Sequence, residues 1–205
     1  MIGISIATKW EFDATLSHFS VKDGERFAYP YGEYFMRTIN GRELVFYSTG
    51  VRKVNGVGAN QYIDERFRPL DIFVPGQAVQ YDCTVKEVEP FIKQSFIVHI
   101  DLSPYGNDFN RGTIGTADKA VVMWKDYVEL KEHNITIADT EAGAIAYICK
   151  KNQVECIIIK GISDFAMKES NEDTFESNSE QMTTYIENTP KVMEKIFREY
   201  LMRFI

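Results

Sequence analysis

The 205-residue sequence lacks several features that would point to a function at once. It has no block of basic residues, and its 23 Lys and Arg against 30 Asp and Glu give a formal net charge of −7. Proteins that neutralise nucleic-acid phosphates need a basic surface, so we do not expect nucleic-acid binding. A small anionic ligand needs only a local pocket and stays possible. No apolar run approaches the roughly 20 residues that cross a membrane, so no membrane partner is expected.

Cysteine and histidine are also scarce. Cys83, Cys149 and Cys156 are odd in number and show no CxxC spacing. Because Cys149 and Cys156 fall inside apolar runs, we expect buried free thiols. The three histidines are scattered without metal-ligand spacing, which predicts no metal site. The N-terminal residues carry no basic leader, and their apolar run is too short for a signal peptide. These absences predict a cytoplasmic protein.

What is present is the composition of an ordinary folded domain. Hydrophobic residues make up 44% of the sequence and aromatic residues 13%, which excludes general disorder. The chain is long enough to bury a substantial core. Internal repeats, low-complexity tracts and linkers are absent. The sequence therefore predicts a single domain over residues 1–205.

Strand and helix signals alternate along the chain. Residues 2–7 are apolar and predict a core strand, followed by a helix from Glu11. A hairpin is predicted for residues 26–39 and 43–48, since Asn40-Gly41 between them is a strong two-residue turn signal. Residues 48–59 then lead into a helix that ends near Arg66, and strands are predicted at residues 69–74 and 96–101.

The C-terminal half continues this alternation. Helices are predicted for residues 121–131 and 142–151. Residues 154–159 form an apolar, β-branched run, which predicts a parallel strand buried on both faces. Residues 180–204 predict a long amphipathic helix, bent or interrupted at Pro190.

Three acidic residues stand where predicted strands end or helices begin. Glu11 follows the first strand, Glu141 precedes the helix at residues 142–151, and Asp164 follows the strand at residues 154–159. Ligands of parallel α/β sheets bind beyond the carboxyl ends of the strands. Structural roles also explain each acid taken singly. Glu11 and Glu141 would interact favourably with the dipole of the helix that each begins, and Asp164 would cap a helix.

Two of these acids lie in motifs that resemble a known superfamily. Glu141 begins the pattern Glu-Ala-x-Ala-Ile-Ala, and Asp164 ends Ile-Ser-Asp. Together, at this spacing, they resemble the nucleoside phosphorylase/nucleosidase superfamily, and within it the methylthioadenosine/S-adenosylhomocysteine nucleosidases. The resemblance implies a three-layer α/β/α sandwich with a central mixed β-sheet. It also implies a small-molecule nucleoside substrate, no cofactor or metal, and a homodimer.

The resemblance assigns roles to individual residues. Asp164 would act at the purine base, Glu141 would hold the ribose hydroxyls, and Glu11 would activate water. Thr140 and Ser163, the neighbours of two of these acids, would contact the substrate as well. Phe175 stands where the family often has an aromatic ring that stacks on adenine, although an ordinary hydrophobic anchor explains it equally well.

The middle of the chain departs from the family. Residues 75–80 read Pro-Gly-Gln-Ala-Val-Gln, where the family has a Gly-Ser-Ala-Gly-Gly loop that lines the adenine site. Gly76 and Ala78 fit this loop, whereas Gln77, Val79 and Gln80 do not. A side chain at Val79 restricts the close backbone approach that glycine permits. Residues 81–110 resemble the family very little, and residues 112–118 resemble its Ser-Gly-Asp loop.

The sequence thus predicts a purine nucleosidase that hydrolyses the N-ribosidic bond of a 5′-modified adenosine. One alternative is a phosphorylase of the same superfamily. The related phosphorylases hold phosphate with an arginine and a serine where this chain has Val74 and Gln77. They also have an arginine after the first strand, near Glu11 here, although Arg52 and Lys53 remain candidates. The other alternative is a catalytically inactive nucleoside-binding protein, which the altered loop at residues 77–80 keeps open.

Overall fold

The computed structural model of the protein describes residues 1–50, 61–64, 66–82, 96–106, 108–119, 121, 124–165 and 175–205. Strands and helices alternate over much of this length, as an α/β protein requires. The expected helix that follows residues 48–59 and ends near Arg66 is wrong, because Gln61–Tyr62 forms a strand between two other strands of a sheet. Residues 51–60 and 65 lie outside the described ranges.

A four-stranded sheet contains the N-terminal part of the chain. Its strands are β1 (Ile2–Ile6), β2 (Phe27–Tyr29), β3 (Gly32–Ile39) and β4 (Arg42–Ser48), in the order β1-β4-β3-β2. β1 runs parallel to β4, and the other pairs are antiparallel.

The predicted hairpin of this sheet is confirmed. Asn40 and Gly41 have φ angles of 50° and 75°, as a tight hairpin turn requires. Residues 26–39 were expected to be continuous. They break at Pro30 and Tyr31, where the chain turns, because proline cannot donate to a ladder.

A six-stranded sheet holds the middle of the chain. Its members are β5 (Gln61–Tyr62), β7 (Gln77–Gln80), β8 (Ile97–His99), β9 (Thr113–Thr116), β10 (Ile137–Asp139) and β12 (Asp164–Phe165). The order is β12-β5-β10-β9-β7-β8, with both parallel and antiparallel neighbours. The expectation of mixed strand pairing is therefore confirmed.

The strand expected at residues 154–159 is wrong in position and surroundings. Pairing begins only at β11 (Lys160–Gly161), which runs antiparallel to β6 (Ile72–Phe73). Val154 is 57% exposed, so the run is not buried on both faces. Residues 154–161 instead border a cavity of about 580 Å³, and the residues of β1 line it as well.

Four α-helices lie in the described ranges: α1 (Lys9–His18), α2 (Trp124–Glu132), α3 (Ala142–Lys151) and α4 (Phe175–Lys195). The bounds of α3 match those predicted from the sequence. Pro190 was expected to bend or interrupt the last helix, but α4 continues through it, and the geometry changes only at a π-helical turn, Ile196–Tyr200. The hydroxyl of Thr189 donates to the carbonyl of Tyr185 at 2.7 Å, in the turn before Pro190.

Packing of aromatic rings fixes α1 and the π-helical turn after α4 on the four-stranded sheet. Phe35 and Phe46 of neighbouring strands stack with centroids 4.8 Å apart, and Phe12 and Phe197 join the same cluster. A second core contains α3 and strands of the six-stranded sheet, including Ala78 and Ala146. None of the helices in the described ranges has both the length and the apolar character needed to cross a bilayer.

Candidate active site

Glu11 combines a structural role with access to a cavity. It is the third residue of α1 and forms a capping box with Thr8. The Thr8 amide donates to Glu11 Oε2 at 3.0 Å, and the Glu11 amide donates to Thr8 Oγ1 at 3.2 Å. The other carboxylate oxygen, Oε1, makes no hydrogen bond within the described part of the chain. Glu11 also lines the cavity of about 580 Å³. It therefore caps the helix and is in contact with the cavity at the same time.

Glu141 is fully buried at the start of α3. Its neighbour Thr140 donates to its carboxylate from both the hydroxyl and, at 3.3 Å, the amide. Glu141 occupies the N-cap position, but its side chain makes no capping hydrogen bond there. The carboxylate is thus held by the residue before it. Thr140 supports Glu141 in this arrangement, and its own contact with substrate stays a prediction.

Asp164 is 2% exposed and begins β12, so it lies in a strand and does not cap a helix. The Ser163 hydroxyl donates to Asp164 Oδ1. The carbonyl of Ser163 accepts a hydrogen bond of 2.8 Å from Nδ2 of Asn188, one of the residues of α4. Helix α4 therefore fixes the backbone that carries Asp164.

A buried ion pair next to these acids was missed by the sequence reasoning. Lys160 is 4% exposed, and its Nζ lies 2.9 Å from Asp139 Oδ2. The two groups are close enough for an ion pair, but the geometry is not that of a hydrogen bond. The N–H groups of the ammonium therefore remain able to donate. Asp139 also accepts from the Thr116 hydroxyl and the Ala142 amide. The signal that could have found this pair is a lysine at the end of the apolar run Ile-Ile-Ile-Lys.

The charges of the three acids act on two shared neighbours, Lys160 and Tyr185. Burial by itself lowers the pKa of Lys160, but Asp139, Glu141 and Glu11 raise it above the ordinary value. Burial raises the pKa of Tyr185, and the charges of Glu11 and Asp164 raise it further. The structure therefore brings Glu11, Glu141 and Asp164 into one buried acidic region with Lys160 as a counter-charge.

Such a region can divide proton donation, proton acceptance and charge stabilisation among its carboxyl groups. Among the side chains that the structure describes, no set of three His, Cys, Asp or Glu residues is arranged to hold a metal ion.

Tyr185 is a second residue that sequence reasoning missed. Its hydroxyl lies 2.7 Å from Thr8 Oγ1, and its ring meets Trp10 edge-to-face with centroids 5.9 Å apart. Tyr185 lines both the cavity that Glu11 lines and a second one of about 750 Å³. Trp10, Tyr31 and Met182 are exposed and also line the second cavity.

Gly76 and Ala78, two further predicted site residues, contact other parts of the fold. Ala78 is fully buried in a hydrophobic core, and the carbonyl of Gly76 accepts from the Ile100 amide at 2.9 Å. Neither residue lines the two cavities. Phe175 begins α4, but its side chain lies outside the described residues, as do Arg52 and Lys53. Substrate contacts by Gly76, Ala78 and Phe175 stay predictions.

The cysteines differ in part from expectation. Cys149 and Cys156 are free thiols, but each is half-buried rather than fully buried. Burial and the neighbouring Cys149 raise the pKa of Cys156 to about 12, so its thiol is protonated at neutral pH. Cys83 lies outside the described residues.

Comparison with known proteins adds evidence independent of this geometry. The family model of the phosphorylase superfamily matches residues 62–198, about two thirds of the chain. A 5′-methylthioadenosine/S-adenosylhomocysteine nucleosidase of Geobacillus sp. (strain WCH70) is 23% identical over 203 residues, covering 82% of this chain and 88% of the relative. The nucleosidase of the same name from Psychromonas ingrahamii is 26% identical over 173 residues, covering 67% of this chain and 75% of the relative.

Solved structures show the same fold. The 5′-methylthioadenosine/S-adenosylhomocysteine nucleosidase of Helicobacter pylori, in complex with butyl-thio-DADMe-Immucillin-A, has a TM-score of 0.78 at 18% identity, covering 96% of this chain and 95% of that one. The futalosine hydrolase of Helicobacter pylori strain 26695 has a TM-score of 0.70 at 19% identity, covering 94% and 96%. The expected α/β fold of the nucleoside phosphorylase type is therefore confirmed.

Proposed function

The chain belongs to the phosphorylase superfamily, and we propose that it is a purine nucleosidase that hydrolyses the N-ribosidic bond of a 5′-modified adenosine. The products are the free base and the free sugar. The observation that carries the proposal is the buried acidic region of Glu11, Glu141 and Asp164. The nucleosidase names of the relatives support the same reaction class.

Three carboxyl groups suit the charge changes of this reaction. Breaking the bond leaves positive charge on the sugar and negative charge on the departing base. Asp164 donates a proton, or a strong hydrogen bond, to N7 of the purine. Glu141, ionised, accepts hydrogen bonds from the ribose 2′ and 3′ hydroxyls and stabilises the cationic sugar. Glu11 accepts the proton of the attacking water through Oε1. Carboxyl groups play comparable parts in glycoside hydrolysis.

The charge of the region favours water over phosphate as the nucleophile. A phosphorylase must hold a dianion beside the sugar with basic side chains and backbone N–H groups. Lys160 is a buried cation here, but Asp139 already lies 2.9 Å from its ammonium, and Glu11 and Glu141 also act on it. A phosphate dianion would meet these carboxylates. Those carboxylates would repel the dianion, whereas water carries no charge and is not repelled.

The test is a panel of purine nucleosides incubated with the pure protein in phosphate-free buffer. We expect free base and a free ribose-type sugar, at a rate that added phosphate does not increase. Strict dependence on phosphate, with a sugar 1-phosphate as product, would leave the superfamily intact and make the protein a phosphorylase. Saturable binding of a nucleoside without base release would identify the inactive binding protein.

A further inference from the structure

We propose that Tyr185 is a positioning residue that sets the orientation of Glu11 through Thr8. The inference rests on the proposed function, in which Glu11 is the general base. Tyr185 is 4% exposed, and its hydroxyl lies 2.7 Å from Thr8 Oγ1. It belongs to α4, whereas Thr8 precedes α1, so 177 positions of sequence separate the two partners.

The Thr8 hydroxyl links the phenol to the carboxylate. A threonine hydroxyl has one proton and two lone pairs. Thr8 Oγ1 accepts the Glu11 amide at 3.2 Å, while the Thr8 amide donates to Glu11 Oε2 at 3.0 Å. The contact with Tyr185 holds Thr8 in the rotamer that this reciprocal arrangement needs. With Oε2 fixed on the backbone, the remaining oxygen of Glu11 has one preferred direction for its contact with water.

The phenol is suited to a neutral supporting role. Burial and the charges of Glu11 and Asp164 raise its pKa, so the hydroxyl keeps its proton throughout the range in which an acid–base enzyme works. Trp10 packs edge-to-face on the ring and limits its movement. Tyr185 therefore adds a fixed hydroxyl beside the acids without adding a charge.

The same helix also restrains the other acid. Asn188 follows Tyr185 by three positions, which places both on one side of α4. Asn188 donates to the carbonyl of Ser163 at 2.8 Å, and Ser163 donates to Asp164. One turn of α4 thus holds Thr8 next to Glu11 and Ser163 next to Asp164, the two residues that would move protons on opposite sides of the sugar.

The primary test is Tyr185→Phe, which removes one hydroxyl and preserves the packing of the ring. We expect kcat to fall about fivefold, since a hydrogen bond of this kind contributes about 1 kcal/mol and about 1.4 kcal/mol corresponds to a factor of ten. KM should stay within about twofold, because the phenol is expected to act on Glu11 and not on the substrate. Tyr81→Phe is the matched control, since the buried Tyr81 hydroxyl has no partner within the described ranges. It should leave kcat unchanged.

A double-mutant cycle tests the route through Thr8. Thr8→Ser keeps the hydroxyl and should retain most of the wild-type kcat. Thr8→Val removes the hydroxyl, and its kcat should fall at least as far as that of Tyr185→Phe. The double variant Tyr185→Phe/Thr8→Val should lose little beyond Thr8→Val alone, because both changes break one chain of contacts. Wild-type kcat in Tyr185→Phe, or multiplicative losses in the double variant, would overturn the proposal.

A readout without substrate separates this inference from the proposed function. Amide hydrogen exchange at Thr8 and Glu11 should be faster in Tyr185→Phe than in the wild type, and unchanged in Tyr81→Phe. If the wild type releases no base from any nucleoside, the proposed function fails, while exchange still tests the link from Tyr185 to Glu11. Unchanged exchange in Tyr185→Phe would remove that link whatever the reaction.

Discussion

At the scale of single residues, each of the three acids has hydrogen bonds that orient its carboxyl group without a ligand. Thr8 holds Glu11, Thr140 holds Glu141 and Ser163 holds Asp164. In all three pairs the donor lies within three positions in sequence. Local sequence therefore supplies part of the support of each acid, and the fold adds the contacts of α4 with Thr8 and Ser163.

Substitution of the acids by their amides tests the roles assigned to them. Asp164→Asn should lower base release by about 10²- to 10⁴-fold, because an amide cannot donate a carboxylic acid proton. Glu141→Gln should lower kcat more than it weakens substrate binding, since the carboxylate charge acts mainly when the sugar is cationic. Steady-state kinetics and equilibrium binding of a substrate analogue measure both effects.

Matched controls distinguish lost chemistry from lost structure. Glu43→Gln changes an exposed acid beside the Asn40-Gly41 turn and should keep wild-type kinetics. Thermal unfolding of each variant shows whether the fold survives. A folded Asp164→Asn or Glu141→Gln protein with wild-type turnover would exclude that residue from the mechanism.

Sequence reasoning found the acids and missed their partners for a physical reason. Glu11, Glu141 and Asp164 stand beside predicted strand ends or helix starts, which are local features. Tyr185 has no local signal of that kind, and Lys160 has only its position after an apolar run. Their partners Asp139 and Thr8 are 21 and 177 positions away. Only the folded chain brings these residues together.

At the scale of elements, the contact between β11 and α4 depends on the absence of a side chain at Gly161. A Cβ atom at Gly161 would lie 1.6 Å from a methyl carbon of Val192. We expect Gly161→Ala to destabilise the protein by about 1–3 kcal/mol or more, as overpacking does in other cores. Denaturant unfolding measures this change.

A second substitution can relieve the same clash. Val192→Ala removes the obstructing methyl groups, so Gly161→Ala/Val192→Ala should be more stable than the sum of the two single changes predicts. Gly24→Ala is the control, since a Cβ at Gly24 would meet nothing within 4 Å. If the changes in unfolding free energy of the two single variants simply add, α4 moves away from the added methyl group and no clash arises.

The elements differ in how far local sequence specifies them. α3 contains strong helix formers and has the bounds that its sequence predicted, and the hairpin follows from two turn residues. Residues 154–159 have equally strong β-branched character, yet they lack the predicted strand pairing. Strand propensity favours an extended chain, but a ladder also needs a partner edge, and that is set by the rest of the fold.

At the scale of the whole molecule, the chain resembles the family less in its middle than at its two ends. This difference affects which 5′ substituent of the substrate we expect the protein to prefer. The family resemblance implies that the 5′ substituent is recognised partly by the middle of the chain and partly by a partner subunit. Residues 81–110 depart from the family, and structural neighbours include enzymes named for methylthioadenosine/S-adenosylhomocysteine and for futalosine. The homodimer and the single domain stay predictions.

We therefore expect a 5′ preference that differs from the usual methylthio or homocysteinyl group. Comparison of kcat/KM across adenosines with small, charged and bulky 5′ groups measures it. Adenosine itself serves as the reference, because it has the unmodified 5′ hydroxyl. If methylthioadenosine proves the best substrate by a wide margin, this expectation is wrong.

The buried pair of Lys160 and Asp139 also restricts the paths by which this sequence can change over time. Removal of Lys160 leaves the buried Asp139 carboxylate without its counter-charge, and a loss of this kind costs about 3–5 kcal/mol in other proteins. Most domains have only about 5–15 kcal/mol of stability in total. Replacing both residues together by well-packed apolar side chains is often neutral. A lineage can therefore lose or exchange this pair only by two coordinated changes, or after gaining stability elsewhere, although each residue alone looks like an ordinary polar position.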